Sequence, residues 1–239
     1  MVFCAGYGTR LGDLTRETPK PMLPLAGRPL LEYILRHLAA HGFRDVVLNL
    51  HYLPELIRDH LGDGSAFGVR LRYWQEAALL GSAGGLRNAA ADLVGAGPFL
   101  VQYGDVLTDH DFTSLLDFHR QHAGLATIMV HRRARSNSLV TLADDGRVTS
   151  FLERPTDEQR QGIESTWVFS GIAVCSPEFL ELIPQGQACD LPRDVFPRLV
   201  AQGTLYAAPL SGFRCAVDSP ERLAEAERAV SQGLFRKLD

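Results

Sequence analysis

The stretch Val2-Phe3-Cys4-Ala5-Gly6-Tyr7-Gly8-Thr9-Arg10-Leu11 predicts a short strand that breaks into a glycine-rich loop. Glycines let backbone N–H groups approach a ligand closely, which suits a polyphosphate. Arg10 adds a guanidinium that can donate two hydrogen bonds to phosphate oxygens. The loop is not a G-x-G-x-x-G motif, since Leu11 holds the last position, nor a Walker loop, which needs Gly-Lys-Ser/Thr. By itself it is equally typical of an ordinary strand exit.

Downstream of this loop, short apolar runs alternate with amphipathic stretches. The predicted strands are 45–50, 69–74, 99–103 and 126–131, and the predicted helices are 30–41, 54–61, 82–94 and 112–122. This alternation predicts an α/β fold: a Rossmann-like mixed, mostly parallel sheet with helices on both faces. Ligands gather at the carboxyl ends of strands in such sheets. Both the loop at residues 6–10 and Gly104-Asp105 follow predicted strands.

The pattern changes after residue 135, where strands typical of a mixed or antiparallel region are predicted. They are 139–142, 147–152 and 167–174, with a hairpin turn at Asp144-Asp145-Gly146 and helices at 177–183, 195–202 and 221–232. No repeat, low-complexity tract or clear linker interrupts the chain. We therefore expect a single domain over residues 1–239.

Composition and charge narrow the class of protein. Hydrophobic residues make up 46% of the chain and charged residues 22%, which is ordinary for a globular protein with a sizeable core. A net charge of −4 gives no general attraction to nucleic acid or to an anionic membrane. The basic cluster at residues 131–135 has no interleaved aromatics, so we interpret it as a solvated loop or a subunit contact. We expect no nucleic acid and no membrane partner.

Cysteine spacing and leader signals indicate the compartment. No C-x-x-C pair occurs among the four cysteines, Cys4, Cys175, Cys189 and Cys215, which favours free thiols in a reducing environment. There is no run of 18 apolar residues and no basic segment followed by an apolar core at the N-terminus. These observations predict a cytoplasmic location.

A second motif, Thr18-Pro19-Lys20-Pro21, holds a lysine between two prolines. Proline fixes its own φ and restricts the residue before it, so the Lys20 ammonium can be aimed at low entropic cost. An isolated Pro-Lys-Pro is typical of a solvent-exposed lysine. Ten residues after a strand-borne Gly-x-Gly-Thr-Arg, however, the combination becomes specific.

In these two motifs the sequence resembles the sugar-phosphate nucleotidyltransferase (NDP-sugar pyrophosphorylase) family, whose signature is G-x-G-T-R-L followed by P-K-P. The resemblance continues at residues 26–31, 80–85, 103–107 and 151–155. It implies a catalytic core that joins an NTP to a sugar 1-phosphate in the presence of Mg²⁺ and releases pyrophosphate. About residues 1–130 would bind the nucleotide and 131–239 the sugar. A homodimer is a family-level expectation.

The resemblance assigns a role to each matching residue on the nucleotide side. It implies that Ala5, Gly6, Gly8 and Thr9 cradle the triphosphate and that Gln75, Glu76 and Gly81 face the nucleobase. Because the sugar phosphate attacks the α-phosphorus in line, catalysis consists mainly of positioning and charge neutralisation. Arg10 and Lys20 would neutralise that charge, and Asp105 would hold Mg²⁺ as an oxygen ligand.

On the sugar side the resemblance assigns roles to Glu153, Arg154, Ser170 and Gly171. Glu153 would hydrogen-bond sugar hydroxyls, and Arg154 would meet the sugar phosphate where the family usually has lysine. Ser170 stands where the family has a sugar-contacting asparagine, just before Gly171. These departures allow an unusual sugar substrate or weakened catalysis.

The family's second metal-binding aspartate lies in a D-I-G-T-P-E segment. The corresponding stretch is Ala216-Val217-Asp218-Ser219-Pro220-Glu221, so the ligand position holds Ala216. On a strand, residues two apart share a face, which would let Asp218 reach the metal from a displaced position. Alternatively, Asp218 caps the helix that begins near Pro220. The sequence leaves both interpretations open.

Within the family, residues 51–54, 61–65, 67–69 and 104–109 look most like guanylyltransferases for mannose 1-phosphate or heptose 1-phosphate. Transfer from GTP is therefore the favoured prediction. A uridylyltransferase or thymidylyltransferase for another sugar 1-phosphate is an alternative. A non-catalytic paralogue that senses a nucleotide sugar is a second alternative, motivated by Ala216. A Rossmann oxidoreductase is poorly supported, because Leu11 interrupts the dinucleotide motif.

Overall fold

The computed structural model describes residues 1–95, 97–134 and 136–235, in a chain that divides into two compact units. Unit 1 comprises Met1–Leu79, Gln102–Phe112 and Ser211–Asp239, and unit 2 comprises Leu80–Val101 and Thr113–Leu210. The single domain over 1–239, with its nucleotide part and sugar part, stays a prediction.

The strands follow one another along the whole chain. They are β1 (Val2–Phe3), β2 (Pro24–Leu25), β3 (Arg28–Pro29), β4 (Asp45–Leu50), β5 (Arg70–Gln75), β6 (Phe99–Tyr103), β7 (Val106–Thr108), β8 (Ala126–Arg132), β9 (Ser138–Leu142), β10 (Val148–Glu153), β11 (Trp167–Cys175), β12 (Leu205–Pro209) and β13 (Arg214–Ala216).

The α-helices are α1 (Leu30–Ala40), α2 (Pro54–Leu61), α3 (Gly81–Asn88), α4 (Ala90–Leu93), α5 (Phe112–Gln121), α6 (Asp157–Arg160), α7 (Phe196–Gln202) and α8 (Pro220–Ser231). Turns of 3₁₀-helix lie at Thr9–Thr15, Lys20–Met22, Ser65–Phe67 and Pro177–Leu182, and a π-helical turn at Leu191–Val195 precedes α7. Of the helices that the structure describes, none has the length and apolarity to span a membrane.

Unit 1 contains a parallel sheet in which β1 is central. Val2 and Phe3 pair with Leu48 and Asn49 of β4 on one side and with Gln102 and Tyr103 at the end of β6 on the other, and β5 pairs with β4. Strands that run in parallel end at the same edge of a sheet. The residues that follow β1, β4, β5 and β6 therefore leave the sheet at one edge, where ligand sites form in α/β proteins.

A second, small sheet of unit 1 carries the chain back to this edge. β13 runs antiparallel to β7, with Ala216 opposite Val106 and Cys215 opposite Leu107. The Val217 N–H then donates to the Asp105 carbonyl at 2.8 Å. The segment that follows β13 therefore lies beside Asp105, although more than a hundred residues separate the two in sequence.

Unit 2 is mainly antiparallel. β11 pairs with both β8 and β9, β10 pairs with β9, and β12 runs parallel to β8. The predicted hairpin turn joins β9 to β10, with the Gly146 N–H donating to the Ala143 carbonyl at 3.0 Å. The register of β11 on β8 shifts between Phe169 and Ala173, which marks an irregularity in the strand.

Most predicted elements are present, and those for 45–50, 54–61 and 99–103 agree with β4, α2 and β6 at both ends. The predicted helix over 82–94 is wrong at its end, because α3 stops at Asn88 and a four-residue helix follows the buried Ala89. No strand is predicted at β12 or β13. β12 is rich in alanine and ends at Pro209, so it lacks the β-branched pattern that signals a strand.

Candidate functional site

The loop that follows β1 is tied to the neighbouring strand before it turns. The Cys4 N–H donates to Asn49 Oδ1 at 2.9 Å. After Gly8 the chain enters a 3₁₀ turn, where the Leu11 N–H donates to the Gly8 carbonyl at 3.0 Å. The Thr15 hydroxyl donates to the same carbonyl at 3.1 Å. The predicted loop therefore leaves the carboxyl end of β1 in a fixed conformation.

The two glycines of the loop have different reasons to be glycine. Gly8 has φ +69°, and a Cβ there would lie 3.1 Å from Cβ of Lys20 and from Cγ2 of Thr15. Gly6 has no positive φ, and a Cβ added there would meet nothing within 4 Å. The fold therefore requires glycine at position 8 but not at position 6. The open space beside Gly6 is what a closely approaching ligand would use.

Arg10, the first predicted cationic residue, forms an ion pair with Asp218. The Arg10 Nη1 atom donates to Asp218 Oδ2 at 3.0 Å. The arginine side chain is 62% exposed and the aspartate 29%. The guanidinium therefore has most of its surface free to meet a second anion.

Lys20, the second predicted cationic residue, donates from Nζ to Asp105 Oδ2. This pair is more enclosed, since the lysine side chain is 11% exposed. Lys20 begins a 3₁₀ turn with Pro21 at its second position, so the predicted extended segment ends at Pro19. The structure thus gives each predicted phosphate-binding cation a carboxylate partner.

The backbone at Asp218 is not a continuation of the strand. β13 ends at Ala216, and the Asp218 N–H donates to the Ala216 carbonyl at 3.0 Å, a three-residue turn about the buried Val217. The alternation rule for strands therefore does not apply to Asp218. The capping interpretation is also wrong, because Ser219 is the N-cap of α8 and accepts from the Arg222 N–H. Asp218 is thus left to contact Arg10.

The segment predicted to face the nucleobase follows β5. Gln75 is exposed, and its Oε1 accepts from Arg58 Nη2 at 3.3 Å. Glu76 is buried, and its Oε1 accepts from Asn49 Nδ2 at 2.7 Å. The side-chain amide of Asn49 therefore connects Cys4, in the loop that follows β1, to Glu76, in the segment that follows β5.

A second connection runs through His51, which directly follows β4. His51 Nδ1 lies 2.8 Å from the Glu76 carbonyl oxygen, which can only accept, so Nδ1 carries a proton. In the neutral ring Nε2 is then an acceptor, and it lies 2.9 Å from the Tyr7 hydroxyl. Tyr7, between the two glycines, therefore donates to His51. The loop that follows β1 and the segment that follows β5 are therefore connected twice, through Asn49 and through His51.

Gly81, the third predicted base-side residue, opens α3 in unit 2. It has φ +73°, and a Cβ there would lie 2.5 Å from the Cys189 carbonyl oxygen. The N–H groups of Ala83 and Gly84 donate to that carbonyl at 3.0 Å. Glycine at position 81 is therefore required by packing within unit 2.

Glu153 and Arg154 lie at the end of β10 in unit 2. Arg154 Nε lies 3.6 Å from Glu153 Oε1, and the arginine side chain is 78% exposed. Arg154 has φ +49°, a conformation that costs energy in a residue with a side chain, and its N–H donates to the Asn137 carbonyl. Strain of this kind is common where a side chain is aimed at a ligand.

The carboxyl group of Glu153 has a raised pKa. Burial raises its pKa to about 7, and the negative charge of Asp190 acts in the same direction, while Arg154 and Arg193 oppose the shift. Asp190 is fixed by Ser82, whose hydroxyl donates to Asp190 Oδ2 at 3.0 Å. Glu153 is therefore only partly ionised near neutral pH.

Ser170, which is predicted to contact the sugar, lies in β11. Its side chain is fully buried, and its hydroxyl oxygen lies 2.9 Å from Nδ1 of His131. Gly171 follows with φ +83° in the irregular part of β11. Ser170 thus forms a hydrogen bond with the partly buried His131. Of the basic cluster, the guanidinium of Arg132 stacks on Trp167, and Arg135 lies outside the described residues.

Sequence reasoning missed several residues of these sites, namely Tyr7, Asn49, His51, His131 and Asp190. A usable signal exists for two of them. Asn49 is a polar residue inside an otherwise apolar predicted strand, and His51 follows the end of that strand, where ligand sites form. The other three are identified only by tertiary contacts.

The chain is an α/β protein with a glycine loop at the carboxyl end of a parallel strand, the place where ligand sites form in this class. The chain matches the nucleotidyl transferase family over residues 1–228. It therefore belongs to that family, and the resemblance read from its motifs is confirmed.

Two curated relatives illustrate the similarity. The chain is 38% identical over 238 residues to the mannose-1-phosphate guanylyltransferase of Mycobacterium tuberculosis, covering 98% of this chain and 65% of the relative. It is 35% identical over 226 residues to the UTP–glucose-1-phosphate uridylyltransferase of Synechocystis, covering 87% of this chain and 56% of the relative. The chain thus spans less than two thirds of the length of either protein.

Solved structures confirm the fold. HddC from Yersinia pseudotuberculosis superposes with a TM-score of 0.80 at 22% identity, covering 96% of this chain and 97% of that one. A Bacillus anthracis protein described as a glucose-1-phosphate thymidylyltransferase superposes with a TM-score of 0.84 at 19% identity, covering 99% and 96%. The predicted Rossmann-like, mixed and mostly parallel sheet is therefore confirmed.

Proposed function

We propose that this protein transfers a nucleotidyl group from GTP to a sugar 1-phosphate of the mannose or heptose type and releases pyrophosphate. One observation carries the proposal. Arg10 and Lys20, the cations expected to meet the triphosphate, are each held by a carboxylate beside the loop that follows β1. The relative named as a mannose-1-phosphate guanylyltransferase, 38% identical, supports the choice of GTP and mannose 1-phosphate.

In this proposal the chain acts by positioning and charge neutralisation. Ala5, Gly6, Gly8 and Thr9 cradle the triphosphate, and the empty space beside Gly6 admits it. Arg10 and Lys20 neutralise charge on the α-phosphate and on the leaving pyrophosphate. Gln75 and the backbone near Gly81 meet the base, whereas the Glu76 side chain is committed to Asn49.

The residues present fit Mg²⁺. Mg²⁺ is commonly held by one or two carboxylates together with phosphate oxygens and waters. Asp105 and Asp218 supply two such carboxylates on adjoining segments, joined by the Val217 N–H and the Asp105 carbonyl. When bound there, the ion would supply positive charge to the phosphate oxygens. Ala216 offers no ligand, so Asp218 is the residue that we assign in its place.

On the sugar side, we assign Glu153 to the sugar hydroxyls and Arg154 to the sugar phosphate. The carboxylate form of Glu153 accepts hydrogen bonds, and the strained, exposed Arg154 offers phosphate donors. We include Gly171 and Ser170, the latter acting through His131. We also propose a cytoplasmic location, which the four free, buried cysteines support, and a homodimer.

The test is a panel of GTP, UTP, dTTP, ATP and CTP, each with Mg²⁺ and with mannose, heptose or glucose 1-phosphate, measured by pyrophosphate release. We expect the fastest release with GTP and mannose or heptose 1-phosphate. Release with UTP or dTTP but not with GTP would replace the guanylyl assignment. That outcome would favour the uridylyl alternative, to which the 35% identical Synechocystis relative points.

Ala216 motivates a second candidate, a non-catalytic protein that senses a nucleotide sugar. Two variants distinguish it from an enzyme. If Asp218 serves the metal, Asp218→Ala abolishes pyrophosphate release while Ala216→Asp changes it little. A large gain on Ala216→Asp, together with no effect of Asp218→Ala, would instead identify a sensing paralogue that has lost its second carboxylate.

A further inference from the structure

Both cations on the phosphate side of unit 1 are paired with the same two carboxylates that the proposed function assigns to Mg²⁺. Arg10 contacts Asp218, and Lys20 contacts Asp105. Neither pairing is local, since 208 and 85 residues separate the partners. The four charges therefore neutralise one another when no substrate is present.

The Arg10–Asp218 pair is the one that can open at low cost. Arg10 is 62% exposed, and an exposed ion pair contributes only about 0.2–1 kcal/mol. The turn about Val217 and the Ser219 cap of α8 hold the backbone of Asp218 on both sides, and its short side chain is 29% exposed, whereas the long side chain of Arg10 is 62% exposed. The arginine is thus the mobile member, and the aspartate sets where it rests.

We propose that Asp218 is a positioning residue that holds Arg10 in the nucleotide-free protein, and that the pair separates by an exchange of counter-ions. Arg10 passes from Asp218 to the triphosphate, and Asp218 passes from Arg10 to Mg²⁺. This inference rests on the proposed function and adds to it that nucleotide binding and metal binding depend on each other. Arg10 Nη1 and Asp218 Oδ2, the two atoms of the contact, become available to new partners only when the pair separates.

Exchange has a thermodynamic consequence. If metal binding frees Arg10 and nucleotide binding frees Asp218, each ligand raises the affinity for the other, and the coupling is reciprocal. A metal-free triphosphate must break the pair without compensation at Asp218. Removing the Asp218 charge should therefore strengthen metal-free binding, although it weakens the gain from Mg²⁺. A residue with a purely structural role would not change the two quantities in opposite directions.

The experiment is calorimetric titration of the full chain with GTP and with inorganic tripolyphosphate, each with Mg²⁺ and with EDTA. The variants are Asp218→Asn, Arg10→Gln and the double variant. Asp13→Asn is the matched control, because Asp13 is an exposed aspartate three residues from Arg10, beyond the kink at Gly12, and is paired with Arg16. Thermal unfolding of each variant checks that it is folded.

We expect Asp218→Asn to bind metal-free tripolyphosphate about two- to fivefold more tightly than Asp13→Asn does, which is the effect of releasing an exposed ion pair. In the Arg10→Gln background this excess should disappear, since the arginine is no longer there to release. The enhancement by Mg²⁺ should be smaller in Asp218→Asn than in the unmodified protein.

Two outcomes would overturn the inference. If Asp218→Asn and Asp13→Asn change metal-free binding equally, or if the effect of Asp218→Asn persists in the Arg10→Gln background, Asp218 does not act through Arg10. In those cases the unmodified protein still binds Mg²⁺ and GTP, so the proposed function survives. If the unmodified protein binds neither ligand under any condition, the proposed function and the inference fail together.

Discussion

The residues that we propose for the phosphates in unit 1 and those that we propose for the sugar in unit 2 hold their charged groups in different ways. In unit 1 each cation faces a carboxylate, and the groups lie where parallel strands end. In unit 2 Glu153 is enclosed near another acid, and its pKa rises to about 7. The proposed phosphate residues thus pair opposite charges, whereas the proposed sugar residues include an acid that is partly protonated near neutral pH. The two regions should respond differently to mutation and to pH.

The largest effect is expected at Lys20. In Lys20→Ala the cation that we propose for the phosphate charge is lost, and Asp105 loses its partner in an enclosed position. Removing one such group from an active site typically lowers turnover about 100- to 1,000-fold. Pyrophosphate release measures the loss. The neighbouring Arg16→Ala, which removes an exposed cation paired with Asp13, should change turnover by less than about twofold. Equal losses in both variants would contradict a specific role for Lys20.

A pair of glycine substitutions separates ligand contact from packing. Gly6→Ala should leave thermal stability unchanged, because its Cβ would meet nothing within 4 Å. It should raise the KM for nucleotide about tenfold, since overpacking against a ligand costs about 1–3 kcal/mol.

Gly81→Ala should instead lower the free energy of unfolding by about 1–3 kcal/mol, because its φ is +73° and the Cys189 carbonyl leaves no room for a Cβ. Differential scanning calorimetry and steady-state kinetics measure the two effects. If Gly6→Ala unfolds the protein or leaves the KM unchanged, the assignment of open space to a ligand is wrong.

The smallest effect is a pH dependence confined to the sugar side. With a pKa of about 7, the ionised fraction of Glu153 rises from roughly one tenth at pH 6 to roughly nine tenths at pH 8. The KM for sugar 1-phosphate should therefore fall by up to about tenfold over this range, because the carboxylate is the form that accepts hydrogen bonds. Asp190→Asn removes a charge that raises this pKa, so the transition should move to lower pH.

The pH dependence of the free energy of unfolding gives an independent check on the pKa of Glu153. The pKa of Glu153 is raised on folding from 4.5 to about 7, so its contribution to stability is complete below pH 4.5 and is lost as pH rises through 7. Glu153→Gln should flatten that part of the pH–stability curve. An unchanged curve, or an unchanged transition in Asp190→Asn, would show that the acid is not enclosed as described.

The sequence was sufficient to predict the parallel part of the fold and the phosphate loop, because apolar runs such as residues 45–50 and local motifs carry those features. It could not show which charges meet. The pairing of Arg10 with Asp218 depends on β13 lying beside β7 and on a three-residue turn about Val217. Nor could it show that Ser170 is buried, since that depends on how an irregular strand packs and not on the residue type.

The amide of Asn49 has a consequence for how this sequence can change over evolution. It accepts from the Cys4 N–H and donates to Glu76, so its two ends are not interchangeable. An aspartate at position 49 would place two carboxyl groups 2.7 Å apart, where both cannot ionise. A glutamine at position 76 would relieve that conflict. We therefore expect positions 49 and 76 to covary among relatives, because Asn49 connects the loop that follows β1 to the segment that follows β5.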